Sequence, residues 1–87
     1  MNGIIENYKE FIDIGDAEPI SMGEGGTPLL RSEFLSKKIK ADVYIKVEGC
    51  NPSGSFKDRG MVVAVCMALH NKKKVLVCAS TGNTSAS

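Results

Sequence analysis

The sequence predicts an α/β chain: strand, helix, strand and the start of a second helix, forming a βαβ unit of a parallel, helix-flanked sheet. Three observations predict it. Val43-Tyr44-Ile45-Lys46-Val47 is rich in β-branched residues and is bounded by Asp42 and Gly49, which marks a strand. The apolar run from Met61 to Leu69 follows Ser55-Phe56-Lys57-Asp58, a capping-box pattern with Asp in place of Glu, which marks a helix reaching His70. Val75-Leu76-Val77-Cys78-Ala79 is a second apolar run of strand length, and it ends in the polar turn Ser80-Thr81-Gly82-Asn83-Thr84. Strands joined this way are parallel, with a right-handed crossover.

Along the chain, residues 4–12 come first. Ile4, Ile5, Tyr8, Phe11 and Ile12 form an amphipathic helical stripe opposite Glu6, Asn7, Lys9 and Glu10, short enough to be a docking face. Gly15-Asp16 breaks the stripe and Pro19 follows. Gly23-Glu24-Gly25-Gly26-Thr27-Pro28 is a glycine-rich loop with no strand ahead of it, and its spacing fits neither common nucleotide-phosphate loop, so it reads as a structural turn. Leu29-Leu30 and Phe34-Leu35 read as a short helical turn closing in Lys37-Lys38-Ile39-Lys40. Asn51-Pro52-Ser53-Gly54 is a turn by composition. The helix after it carries a nearly continuous apolar run and should be buried on most sides, and Asn71 with Lys72, Lys73 and Lys74 suits its C-terminal end. The chain divides into a leading segment, residues 1–42, and the incomplete βαβ part, residues 43–87.

Length and composition bound the function. Eighty-seven residues allow one domain at most, and parallel strands need covering on both faces, for which this chain has too few elements. The sequence therefore reads as the truncated front of something larger. A net charge of +1 and lysine clusters without interleaved aromatics argue against a nucleic-acid partner. No apolar run approaches a membrane span, and the opening Met1-Asn2-Gly3-Ile4-Ile5-Glu6 lacks the basic and apolar regions of a secretory signal, so a cytoplasmic location is expected. Cys50, Cys66 and Cys78 are odd in number and widely spaced, which fits neither a zinc site nor a disulfide framework. Cys66 and Cys78 lie inside apolar runs and are expected to be buried, whereas Cys50 sits beside a turn.

Two places could carry chemistry. With Ser55 as N-cap, Lys57 takes the second helical position, where the helix dipole disfavours a cation by about 0.3–1 kcal/mol. Apolar neighbours such as Phe56 and Met61 would act in the same direction, favouring the neutral, nucleophilic amine that condensation with an aldehyde cofactor requires. The plain alternative is a surface lysine paired with Asp58. Ser80-Thr81-Gly82-Asn83-Thr84 lies where the second strand meets the next helix, the end of an open sheet at which ligands bind. Its N–H groups and hydroxyls could cradle a carboxylate or phosphate, or simply cap the helix. Both sites follow successive strands of one unit and should meet at one sheet edge. His70, at a helix end, reads as a surface residue.

Asn51-Pro52-Ser53-Gly54-Ser55-Phe56-Lys57-Asp58-Arg59-Gly60-Met61, with Ala79-Ser80-Thr81-Gly82-Asn83-Thr84-Ser85-Ala86-Ser87, resembles the threonine synthases. These are fold-type II pyridoxal-phosphate-dependent enzymes, related to threonine dehydratase and cysteine synthase. Residues 23–29 resemble the stretch ahead of the first motif, and Ser53 stands where the family commonly has Thr. The resemblance implies that Lys57 holds pyridoxal phosphate and shuttles protons, and that Asn83 hydrogen-bonds the cofactor's 3′-oxygen. It further implies that Ser80, Thr81, Asn83 and Thr84 receive the α-carboxylate of O-phospho-L-homoserine, with Thr84 also serving its phosphate. The implied products are L-threonine and phosphate, and the implied enzyme is a homo-oligomer. No glycine-rich loop for the cofactor phosphate follows the second motif, so the 87 residues alone are expected to bind the cofactor poorly and to be inactive. The alternatives are a threonine or serine dehydratase with the same cofactor, and a non-catalytic anion-binding βαβ module.

Overall fold

Gly3 and Glu24 fix the beginning of the chain in the computed structural model, which describes residues 3–72 and 75–87. The buried Glu24 carboxylate accepts the Ile4 N–H at 3.0 Å, the Met22 N–H at 3.0 Å and the Ser21 hydroxyl at 3.1 Å. Helix α1, Ile4–Asn7, starts on that anchor. A Cβ on Gly3 would lie 2.2 Å from Glu24 Oε1, so only glycine allows the approach. The helix predicted over residues 4–12 ends early, and turns replace it from Tyr8 onward. Ile5 is buried while Phe11 is 80% exposed, so the second half of the stripe gains nothing from helical phase.

Strand β1, Leu29–Arg31, occupies residues predicted as part of a helical turn. It pairs antiparallel with β2, Tyr44–Lys46, in the register Leu29 with Lys46, Leu30 with Ile45 and Arg31 with Tyr44. The Ser32 N–H to Val43 carbonyl bond at 2.8 Å and the Val47 N–H to Pro28 carbonyl bond at 3.0 Å extend the pair at both ends. Between the strands runs α2, Glu33–Ile39, capped by the Ser32 hydroxyl on the Leu35 N–H at 3.1 Å. The buried Ser36 hydroxyl accepts the Val43 N–H at 2.9 Å and steers the returning strand into register.

A 3₁₀ turn, Glu48–Cys50, leads to α3, Lys57–His70. The predicted capping box is replaced by another arrangement. Phe56 occupies the N-cap position without a side-chain cap, and Lys57 is the first helical residue rather than the second. The Ser55 hydroxyl accepts the Lys57 N–H at 3.3 Å. The turn at residues 51–54, closed by the Gly54 N–H on the Asn51 carbonyl at 2.8 Å, brings Ser53 over the helix start. Asp58 bonds there instead of to Ser55. Nor is α3 buried on most sides: Asp58, Val62 and Cys66 form a single stripe at a spacing of four. That stripe packs on α1 and residues 14–20, with Ile5, Ala17, Val62 and Cys66 as the centre of a small core.

The second predicted strand forms no ladder. Residues 75–79 are exposed, with Val77 at 92%, and carry no strand pairing. The described sheet is therefore one antiparallel pair, and the predicted parallel βαβ arrangement is not seen. Strand structure needs hydrogen-bonded neighbours, and among the described residues none pairs with residues 75–79. Cys78 is consequently exposed instead of buried, whereas Cys66 is buried as predicted, its thiol donating to the Glu18 carbonyl at 3.1 Å. The helix expected after the second polar turn is present as α4, Asn83–Ala86, packed on α3. Met1, Asn2, Lys73 and Lys74 lie outside the described residues, so the readings of the chain start and of the 72–74 lysine run are not met there.

Candidate functional site

The glycine-rich loop is a buttress. Gly25 donates its N–H to Asn51 Oδ1 at 2.8 Å and gives its carbonyl to Arg59 Nη2 at 3.1 Å. The Thr27 hydroxyl donates to Glu48 Oε2 at 2.9 Å, and the Lys46 amine caps the Thr27 carbonyl at 2.7 Å. With these groups engaged inside the protein, the loop is the structural turn its spacing suggested.

Arg59 and Glu48 tie this loop to α3. Arg59 Nε donates to Glu48 Oε1 at 2.6 Å and Nη2 to Glu48 Oε2 at 2.9 Å, a two-point pairing of fork on carboxylate. The Asn51 amide adds bonds to the Glu48 carbonyl at 3.0 Å and to Glu48 Oε1 at 3.2 Å. The Arg59 guanidinium holds the Glu48 carboxyl down to about 2; desolvation opposes this, and Thr27 and Asn51 assist it. Asp58, fully buried, accepts the Ser53 N–H at 2.8 Å and the Ser53 and Ser87 hydroxyls. Burial alone would raise its pKa, but those hydroxyls and the Ser53 N–H outweigh burial and hold it below the usual carboxylate range.

Lys57 lies between these two anchors and is exposed. It does not pair with Asp58; the ion pairs among the described residues join Arg31 to Glu33 and Asp42, and Arg59 to Glu48. Its amine rests 5.0 Å from the centre of the Phe56 ring. Lys57 and Thr84 line one hollow of about 380 Å³, together with Phe56, Arg59, Gly60, Met61 and Ala64. The predicted meeting of the two motifs is thus realised for this pair, through packing of α4 on α3 rather than through a shared sheet edge. A larger hollow of about 480 Å³ runs along residues 9–19 and includes no motif residue, so size alone does not locate the site.

The other predicted site residues stand outside the hollow. Ser80, Thr81 and Asn83 are exposed, with Asn83 opening α4. The Ser80 hydroxyl accepts the Gly82 N–H at 3.2 Å and the Ser85 N–H at 3.0 Å, so it serves here as a local cap. Sequence reasoning missed Glu48, Asp58, Arg59, Ser53 and Ser87 as a supporting frame. Their signal was three charges, Lys57, Asp58 and Arg59, opening a helix that is otherwise apolar up to His70.

A primary amine at an apolar hollow with a hydroxyl opposite suits the aldehyde end of a flat aromatic cofactor, and the described residues hold no cluster of metal-ligand type. Comparison with known proteins agrees. The family model described as pyridoxal-phosphate dependent enzyme matches residues 20–87. A threonine synthase of Halalkalibacterium halodurans is 51% identical over 85 residues, covering 97% of this chain and 24% of that protein. The threonine synthase of Mycobacterium bovis is 50% identical over 86 residues, covering 98% and 24%. That of Methanosarcina acetivorans is 53% identical over 72 residues, covering 82% and 18%. The chain spans about a quarter of the length of the first two of these relatives. With the lysine, the hollow and the match over residues 20–87 in agreement, this chain belongs to the pyridoxal-phosphate-dependent enzymes.

Proposed function

We propose that residues 1–87 are the N-terminal part of a threonine synthase, which converts O-phospho-L-homoserine and water into L-threonine and phosphate. The observation that carries the reading is the shared hollow of Lys57 and Thr84, one residue from each motif. The relatives' names support the choice of reaction. When bound, pyridoxal phosphate supplies an electron sink for charge developing on substrate carbon.

The chain's own residues do the remaining work. The Lys57 amine would hold the cofactor and shuttle protons, and its place on a helix end braced by Asp58 and Arg59 limits where that amine can reach. Phe56, Met61 and Ala64 give the hollow beside it an apolar wall. Asn83 would donate to the cofactor's 3′-oxygen. Ser80, Thr81, Asn83 and Thr84 receive the substrate's α-carboxylate, and Thr84 also serves its phosphate. Residues 1–42 form a leading segment and residues 43–87 carry both motifs. On this reading residues 75–79 pair as a parallel strand within the longer enzyme, a cytoplasmic homo-oligomer.

The test uses the full-length polypeptide carrying these residues. After incubation with pyridoxal phosphate, borohydride reduction and peptide mapping, a pyridoxyl group is expected on Lys57, with phosphate released from O-phosphohomoserine. Keto-acid formation from threonine without phosphate release would move the reading to a dehydratase. An unlabelled Lys57 would overturn it in favour of an anion-binding module.

A further inference from the structure

The residue after the lysine is the one that joins the two motifs. Asp58 is completely buried, next to an exposed Lys57. One of its oxygens, Oδ2, accepts the Ser53 N–H; the other, Oδ1, accepts the hydroxyls of Ser53 and Ser87. Ser53 belongs to the turn that delivers Lys57, and Ser87 closes the helix that carries Thr84. Thr84 and Ser87 are three residues apart, so they share a face of that helical turn. A bond that fixes Ser87 against Asp58 therefore fixes Thr84 against Lys57, and the hollow lined by both is the result.

From this arrangement we infer that Asp58 is a positioning residue for the Lys57 amine, acting as a clamp between the lysine turn and the second motif through the Ser53 and Ser87 hydroxyls. The inference rests on the assignment of Lys57 as the cofactor lysine. The chemistry of the clamp is specific. A carboxylate takes several donors at once, and a short Asp arm keeps both backbones close. Asparagine would place an N–H₂ against one of the donating groups. Ser53 gives the clamp both its N–H and its hydroxyl.

The clamp is tested in the full-length polypeptide by the rate of borohydride trapping of pyridoxal phosphate on Lys57, expressed per folded molecule and read by peptide mapping. Ser87→Ala removes one donor from the clamp and is expected to lower that rate by up to about a hundredfold, the scale on which misplacing a reacting group acts. Ser87→Thr restores the hydroxyl and is expected to restore the rate. Asp58→Asn should act at least as strongly as Ser87→Ala; should it fail to fold, the Ser87 pair of variants decides alone. Arg31→Ala, which removes a surface pairing remote from both motifs, serves as the control and should trap at the parent rate. A folded Ser87→Ala protein that traps at the parent rate would overturn the clamp, as would a Ser87→Thr protein as slow as Ser87→Ala. An unlabelled parent would instead overturn the assignment of Lys57, and the clamp with it.

Discussion

Glu48 shows how one carboxylate can hold together the frame around Lys57. Held down to about 2 by Arg59, against an ordinary 4.5, its folded pKa lies below the unfolded one. Its contribution to stability is therefore fully present above about pH 4.5 and is lost as pH falls toward 2. Circular dichroism across that window should show the parent losing helix more steeply than Glu48→Gln, which has no carboxyl to protonate. Equal slopes would remove Glu48 from the account. Lys57, exposed and unpaired with Asp58, should tolerate Lys57→Ala with no change in the helix signal while losing all borohydride-dependent labelling at that position. Lys57 and Thr84 were legible in the sequence because each sits in a recognisable motif beside a helix start. Glu48 was not, since its role depends on Arg59 and Thr27, 11 and 21 residues away, and spacing along the chain carries no sign of that encounter.

At the scale of elements, what could be read from the sequence followed local chemistry. Strand β2 was visible in its β-branched residues, α3 in its apolar run, and α4 in the polar turn before it. The antiparallel partner of β2 was not, because Leu29-Leu30-Arg31 has no alternation of its own and becomes a strand only by pairing. The same dependence explains residues 75–79, which have strand composition and no described ladder partner. Local rules also give the clearest mutational expectations. Gly25 has a φ of 89°, and a Cβ there would lie 2.6 Å from Ile4 Cδ1. Gly25→Ala should cost roughly 1–2 kcal/mol for the left-handed backbone alone, with the contact adding to it, seen as a lower urea midpoint. Ser32→Ala removes the α2 cap and should cost about 1 kcal/mol in the same measurement. If Ser32→Ala proves the more damaging of the two, the weight given to the glycine loop is misplaced.

The whole molecule is drawn out. Its radius of gyration is 15.9 Å and its extents are 51 × 31 × 19 Å, against roughly 12 Å expected for a compact domain of this length. Leu29, Leu30, Phe34, Ile39, Tyr44, Val75, Leu76 and Val77 are all more than half exposed, while among the described residues four apolar side chains form the buried centre. Among the described residues no helix is long and apolar enough to cross a membrane. The 87 residues by themselves should bind an apolar dye such as ANS strongly, and Val75→Lys with Val77→Lys should reduce that signal. They should also give no stable visible absorbance band with pyridoxal phosphate. A stoichiometric band would mean that the hollow at Lys57 suffices to hold the cofactor.

The long-range bonds also have an order in time. A chain made from its N-terminus presents Ile4 to the cell long before Glu24 exists to anchor it, and Gly25 before Arg59. During synthesis the first helix must therefore wait for the loop, the loop for the third helix, and Asp58 for Ser87. Lys57 is made before Ser87, the residue that completes the bonds to Asp58. Once Arg59 has left the ribosome and until Ser87 has followed it, the nascent chain can hold its buttress with its two motifs still apart.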